Sequence, residues 1–98
     1  MAQFDVFRMT DGELVLDLQT QLLGSFDTRV VVPLMLPTDA PIRHPRLNPA
    51  VEIDGRTYVM VTQYMIAIDR RELRTRIDNL DRYYDQLKRA YDMLFNGF

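Results

Sequence analysis

The sequence predicts an α+β, mainly β domain: a small barrel-like antiparallel sheet with one C-terminal α-helix. Three observations point to it. Most of the chain alternates apolar and polar residues at period two, as in Leu14-Val15-Leu16-Asp17-Leu18. One such stretch is broken by Asp54-Gly55, the dipeptide that specifies a two-residue type I′ turn. The last third then changes period. Leu73, Ile77, Leu80, Tyr84, Leu87, Tyr91, Leu94 and Phe98 fall at alternating spacings of four and three, an apolar stripe of helical type.

Length and composition bound the reading further. At 98 residues the chain holds one core, so one domain over residues 1–98 is expected. A hydrophobic share of 47% with 27% charged residues argues against intrinsic disorder. The absence of cysteine removes disulfides and Cys-ligated zinc and suits a reducing cytoplasm. The single histidine, His44, rules out paired-histidine zinc sites. No apolar run approaches the ~20 residues a bilayer requires, and neither a signal peptide nor membrane association is expected. Twelve basic against fourteen acidic residues give a net charge of −2, with no overall pull toward nucleic acid.

Taken in order, Gln3 to Phe7 reads as a strand with Gln3, Asp5 and Phe7 on one face and Phe4 and Val6 on the other. Thr10 to Glu13 is turn chemistry, and Leu14 to Leu18 completes an antiparallel hairpin. A loop from Gln19 to Thr28 follows, with Gly24 as its hinge and Leu22-Leu23 at its crown. Arg29 to Leu36 is a β-branched run and reads as a central strand, at least as far as Pro33, which lacks an amide donor. Pro33, Pro37, Pro41, Pro45 and Pro49 forbid a continuous helix, so Pro37 to Pro49 is a stiff surface connector. Val51 to Val59 is the Asp-Gly hairpin, its second strand continuing through Thr62, and another short strand covers Tyr64 to Ile68.

Periodicity alone starts the helix near Arg70, while Asp78 and Asp81 are rival caps for a shorter helix running to Phe95. Lys88 and Arg89 favour the negative end of its dipole, and Gly97 is a natural residue to terminate it. Leu87, Tyr91 and Leu94 are assigned to packing. A sheet this small has edges and a limited core, both of which dimerisation would remedy.

Chemistry-bearing patterns are sparse. His44, between Arg43 and Pro45-Arg46, reads as solvated surface. Arg70, Arg71, Arg74 and Arg76 form a local basic patch suited to an acidic, disordered partner segment. No carboxylate pairs with a histidine or falls at metal-ligand spacing, so no catalytic residue, metal or cofactor is expected.

Against this background Gln3-Phe4-Asp5-Val6-Phe7, Leu16-Asp17-Leu18-Gln19-Thr20 with Leu22-Leu23, and Arg29-Val30-Val31-Val32-Pro33-Leu34 resemble the CcdB toxins of toxin–antitoxin modules. So do Leu47-Asn48-Pro49-Ala50-Val51 and the closing Met93-Leu94-Phe95-Asn96-Gly97-Phe98. The stretch between Pro37 and Arg46 and a shorter first turn depart from the family. The resemblance implies a cytoplasmic homodimer of SH3-like barrels, each with a C-terminal helix that begins late. It therefore favours a helix from Asp81 to Phe95, capped by Asp81, with Tyr64 to about Leu73 partly strand.

The resemblance also implies a protein without catalytic activity that poisons DNA gyrase through its A subunit and is neutralised by a cognate antitoxin. Nucleic acid would be met only through the antitoxin complex, in autoregulation of transcription. Carried over, the gyrase-contacting residues are Thr20, Leu22, Leu23, Asp92, Asn96, Gly97 and Phe98; the local basic patch, not the resemblance, supplies Arg70, Arg71 and Arg74 as the residues expected to meet the antitoxin. Asp92 stands where the family usually has asparagine, Phe98 where it ends in isoleucine, and Asn96 where tryptophan is expected. An indole face against a gyrase arginine is worth ~0.5–2 kcal/mol, which asparagine cannot supply. Poisoning that is weakened or redirected is the consequence. Two alternatives share the architecture: an mRNA interferase of the MazF type, which would need an acid–base pair beside a basic groove, and a non-toxic dimer that only binds antitoxin.

Overall fold

The computed structural model describes residues 2–97. Among them seven strands precede one α-helix. These are β1 (Asp5–Arg8), β2 (Leu14–Asp17), β3 (Thr28–Met35), β4 (Ala50–Ile53), β5 (Arg56–Met60), β6 (Ile66–Asp69), β7 (Thr75–Asn79) and α1 (Tyr84–Asn96). Every pairing is antiparallel, in the order β4-β5-β3-β2-β1-β7, with β6 also on β3. The result is a curled half-barrel, mainly β, with its helix at the C-terminal end, as the alternation and the change of period predict.

Period-two alternation builds the core. Phe4, Val6, Leu14, Leu16 and Leu18 project to the inside of the curl, where they meet Val32, Leu34, Val51, Ile53 and Met60. A smaller cluster of Phe7, Val31 and Leu73 forms apart from it. At the hairpin tip Asp54 and Gly55 both take positive φ, 54° and 81°, the requirement of a type I′ turn.

Pro33 does not end β3, which runs through to Met35. The amide of Leu18 donates to Val30, so even-numbered backbone groups of this strand face β2 and odd-numbered ones face away. On that far side β6 pairs with Thr28 to Val31, and β5 with Leu34 and Met35. Pro33 lies between the two, where its missing N–H breaks no ladder and its carbonyl accepts from Val61 at 3.0 Å.

Several boundaries differ from expectation. β5 stops at Met60 because Thr62 to Tyr64 close a 3-10 turn, whose Thr62 hydroxyl donates to the Leu47 carbonyl. Asn48 donates to the Met60 carbonyl and accepts from the His44 amide, tying down the proline connector. The next strand lies at Ile66–Asp69, not Tyr64 to Ile68. The stretch that periodicity alone would make helical contains β7 instead. It pairs with β1 from Asp5↔Asn79 to Arg8↔Thr75, with a register shift between Val6 and Phe7. Leu73 is buried with Phe7 while Ile77 packs on the main core, and strand pairing outweighs a spacing of helical type.

The helix also begins differently. Asp81–Tyr83 form a 3-10 turn and α1 starts at Tyr84, without a side-chain cap. Asp81 is therefore not the cap: its own amide donates to Asn79 Oδ1 at 2.9 Å, a turn of the chain ahead of the helix. Leu87 and Ala90 are fully buried against the sheet, Tyr91 partly so, and Tyr84 meets Phe4 edge-on at 5.7 Å. Leu94 is exposed, contrary to its assignment to the core, because burial fades over the last helical turn. The outer edge of β4 is covered by side chains: Glu52 donates its amide to Tyr83 Oη and accepts from Arg82 Nη2 at 2.8 Å. Among the described residues no helix is long and apolar enough to cross a membrane.

Candidate docking surface

The loop after β2 is short, stiff and anchored from below. Thr20 Oγ1 accepts from the Leu22 amide at 3.3 Å, and the Leu23 and Gly24 amides bond back to Thr20 and Gln21, closing a 3-10 turn over Gln21–Leu23. Gly24 has φ −62°, ordinary right-handed geometry, so it completes the turn and is no left-handed hinge. Beneath the turn lies an ion pair that the sequence did not advertise. Arg29 Nη2 stands 2.8 Å from Asp17 Oδ2, and both side chains are 0% exposed. Burial pushes the Asp17 carboxyl above its ordinary range, against the opposing pull of Arg29. Arg29 also reaches the Gln19 carbonyl at 2.9 Å and the Leu23 carbonyl at 3.4 Å. Asp17 Oδ1 accepts from the Gln19 amide.

That support leaves Leu22 87% and Leu23 38% exposed, so the pair does not tuck into the barrel end. Thr20 and Leu22 share a surface hollow with Ala2, Gln3, Asn79 and Asp81.

The second group of expected contact residues lies at the far end of α1. Asp92 is half-buried, and its charge, after burial itself, raises the Tyr91 hydroxyl above the usual tyrosine range. Asn96 and Gly97 are exposed; Gly97 takes φ 79° and its amide returns to the Met93 carbonyl at 3.0 Å. Phe98 lies outside the described residues. Thirteen helical residues span about 20 Å. The loop hollow holds Thr20 and Leu22 together with Asp81, which precedes α1, and Asp92, Asn96 and Gly97 at the other end of the helix are not among the residues that line it.

The arginine patch is mixed in charge. Arg71 forms a two-pronged pair with Asp69 at 2.7 Å, and its hydrogen bonds hold the Asp69 carboxyl at about 2. Arg70 donates its amide to the Asp27 carbonyl, and Asp27, Asp69, Arg70 and Arg71 line one hollow. Arg74 donates from Nε to the Arg71 carbonyl. Among the described residues neither Arg70 nor Arg74 is ion-paired, so they carry the positive charge available to a partner. His44 Nδ1 accepts from the Arg46 and Leu47 amides, closing a turn. Among the described residues no cluster of three His, Asp or Glu side chains could hold a metal ion.

A small curled antiparallel sheet with one terminal helix defines a mainly β class of domain, here with an exposed apolar pair on a braced loop. Within that class the chain belongs to the CcdB family: the family's sequence profile (CcdB protein) matches residues 3–97. The family is one of toxins from toxin–antitoxin modules, directed at gyrase. No curated protein shows a significant match to the chain.

Proposed function

We propose that this chain is the toxin of a type II toxin–antitoxin module, a single cytoplasmic domain that pairs with a second copy and docks on the A subunit of DNA gyrase. Its action is binding, not bond-making. Besides family membership, the observation that carries the reading is Leu22, an almost fully exposed leucine on a rigidly supported turn. Exposure alone does not mark it, since Ile42 in the proline connector is 97% exposed; what sets Leu22 apart is the braced turn beneath it, and an apolar anchor on a rigid element is what an interface uses. Asp92, Asn96, Gly97 and Phe98 form the second part of the gyrase surface, Phe98 on the strength of the resemblance alone. Dimerisation gathers the two parts from both protomers into one surface.

Exposed apolar side chains support the pairing. Tyr64, Ile66, Leu94 and Phe95 are each at least one-third exposed, and the turn carrying Tyr64 packs on α1. Arg70, Arg71 and Arg74 receive an acidic antitoxin segment, the bidentate Asp69 contact of Arg71 being the one that segment must displace.

One observation favours a second reading, in which gyrase poisoning is weak: Asn96 is an exposed amide in the last helical turn, without the aromatic face a gyrase arginine would stack on. The experiment is the same for both. Purified chain is added to gyrase in cleavage and supercoiling assays, alongside the Leu22→Asp and Asn96→Trp variants. Stabilised cleavage complex that Leu22→Asp abolishes and Asn96→Trp enhances is the expected result. No cleavage complex at any concentration, with normal growth on overexpression, removes gyrase from the account.

A further inference from the structure

We infer that Arg29, locked to Asp17 inside the fold, is the positioning residue that presents Leu22 and Leu23 for docking. This rests on the proposed use of that pair against gyrase.

The hydrogen bonds of the guanidinium are aimed. Nε and Nη2 both address Asp17 Oδ2, Nη2 also reaches the Gln19 carbonyl, and Nη1 reaches the Leu23 carbonyl. The first residue of the loop and the last residue of its 3-10 turn thus hang on one planar group. Asp17 adds a bond from its other oxygen to the Gln19 amide, and the Gln19 side chain accepts from the Val30 amide. Between these anchors the turn is held by the Thr20 cap, its own short-range bonds and a long bond of 3.5 Å from Gln19 Nε2 to the Leu23 carbonyl, with Gln19 itself fixed by Arg29 and Asp17. Leu22 contributes almost no burial of its own, so its direction is set from underneath.

A fully buried ion pair is a poor way to gain stability in a small chain, since apolar residues of similar volume commonly do as well or better. What the pair supplies that leucine and methionine cannot is a rigid fork with donors at fixed angles. Pre-ordering a loop in this way removes part of the entropy loss on binding. Lysine at position 29 would keep the charge but not the fork.

The test separates stability from presentation. In the Asp17→Leu/Arg29→Met double variant the cooperative unfolding transition should persist near the wild-type midpoint. Amide exchange at Leu22, Leu23 and Gly24 should accelerate at least about tenfold, and affinity for the gyrase A subunit should fall by a similar factor. If the double variant does not fold, Arg29→Lys serves: the same two losses are expected in a folded protein that retains charge. Unchanged exchange in a folded variant overturns the inference, and so does full affinity with accelerated exchange. Wild-type binding by Leu22→Asp removes the docking reading itself and with it the purpose assigned to Arg29. Lost binding there with full binding by the double variant overturns the positioning role alone.

Discussion

Arg76 on β7 donates from Nε to Asp5 Oδ1 at 2.8 Å, joining residues 71 positions apart across the last strand pairing of the sheet. Burial alone would raise the Asp5 carboxyl, but hydrogen bonds from Asn79, Arg76 and the Ala2 amide together hold it below its ordinary value. A lowered carboxyl binds fewer protons folded than unfolded. Its contribution to stability is therefore whole above about pH 4 and is lost as the pH falls toward the depressed folded value. Asp5→Asn should cost about 1–3 kcal/mol at neutral pH and show a flatter acid limb in urea midpoints taken across the acidic range. Asp17 has the opposite sign. Its raised carboxyl favours folding less as pH climbs from its unfolded value to its folded one, so Asp17 should not drive acid unfolding.

Helix burial gives a contrast between two leucines of the same stripe. Leu87→Ala empties a site with no solvent exposure and should cost about 2–5 kcal/mol by chemical denaturation. Leu94→Ala, in a half-exposed last turn, should cost under about 1 kcal/mol in the isolated protomer. Equal losses would contradict the placement of Leu94.

Gly97 sits in left-handed backbone at the end of α1. Gly97→Ala should cost about 1–2 kcal/mol, because a Cβ there crowds the following carbonyl. Faster amide exchange at Asn96 and Gly97, with the sheet unchanged, would register the fraying.

Phe95 is 67% exposed beside Leu94. Phe95→Glu should convert the proposed dimer to monomer in sedimentation velocity while leaving the far-UV circular dichroism unchanged. A variant that sediments as the wild type does would move the dimer seam elsewhere.

The legible part of this fold was local. Alternation in Leu14 to Leu18 and the Asp54-Gly55 turn act over a few residues, and both elements formed where they were expected. Gly97 ended the helix for a reason contained in its own backbone. β7 was not legible, since the spacing of Leu73, Ile77 and Leu80 suits a helix and only a partner strand from the other end of the chain decides against it. Asp81 is a cap by residue type, but the 3-10 turn at Asp81–Tyr83 moves the start of α1 to Tyr84, where no side chain caps it. In the candidate site the Leu22-Leu23 pair could be picked out, though not its exposure. Arg29 and Asp17 were missed because alternation placed Asp17 on the outer face; an arginine opening a β-branched run and an aspartate between leucines were the available signal.

The proline in β3 leaves no unpaired backbone group on the side of the strand where β5 and β6 diverge. At that notch a visiting strand from another molecule would find a carbonyl already engaged by Val61 and no hydrogen to bond, so fibril-like stacking has no starting rung there. One ring closed on a backbone nitrogen thus keeps the sheet private where two of its strands part company.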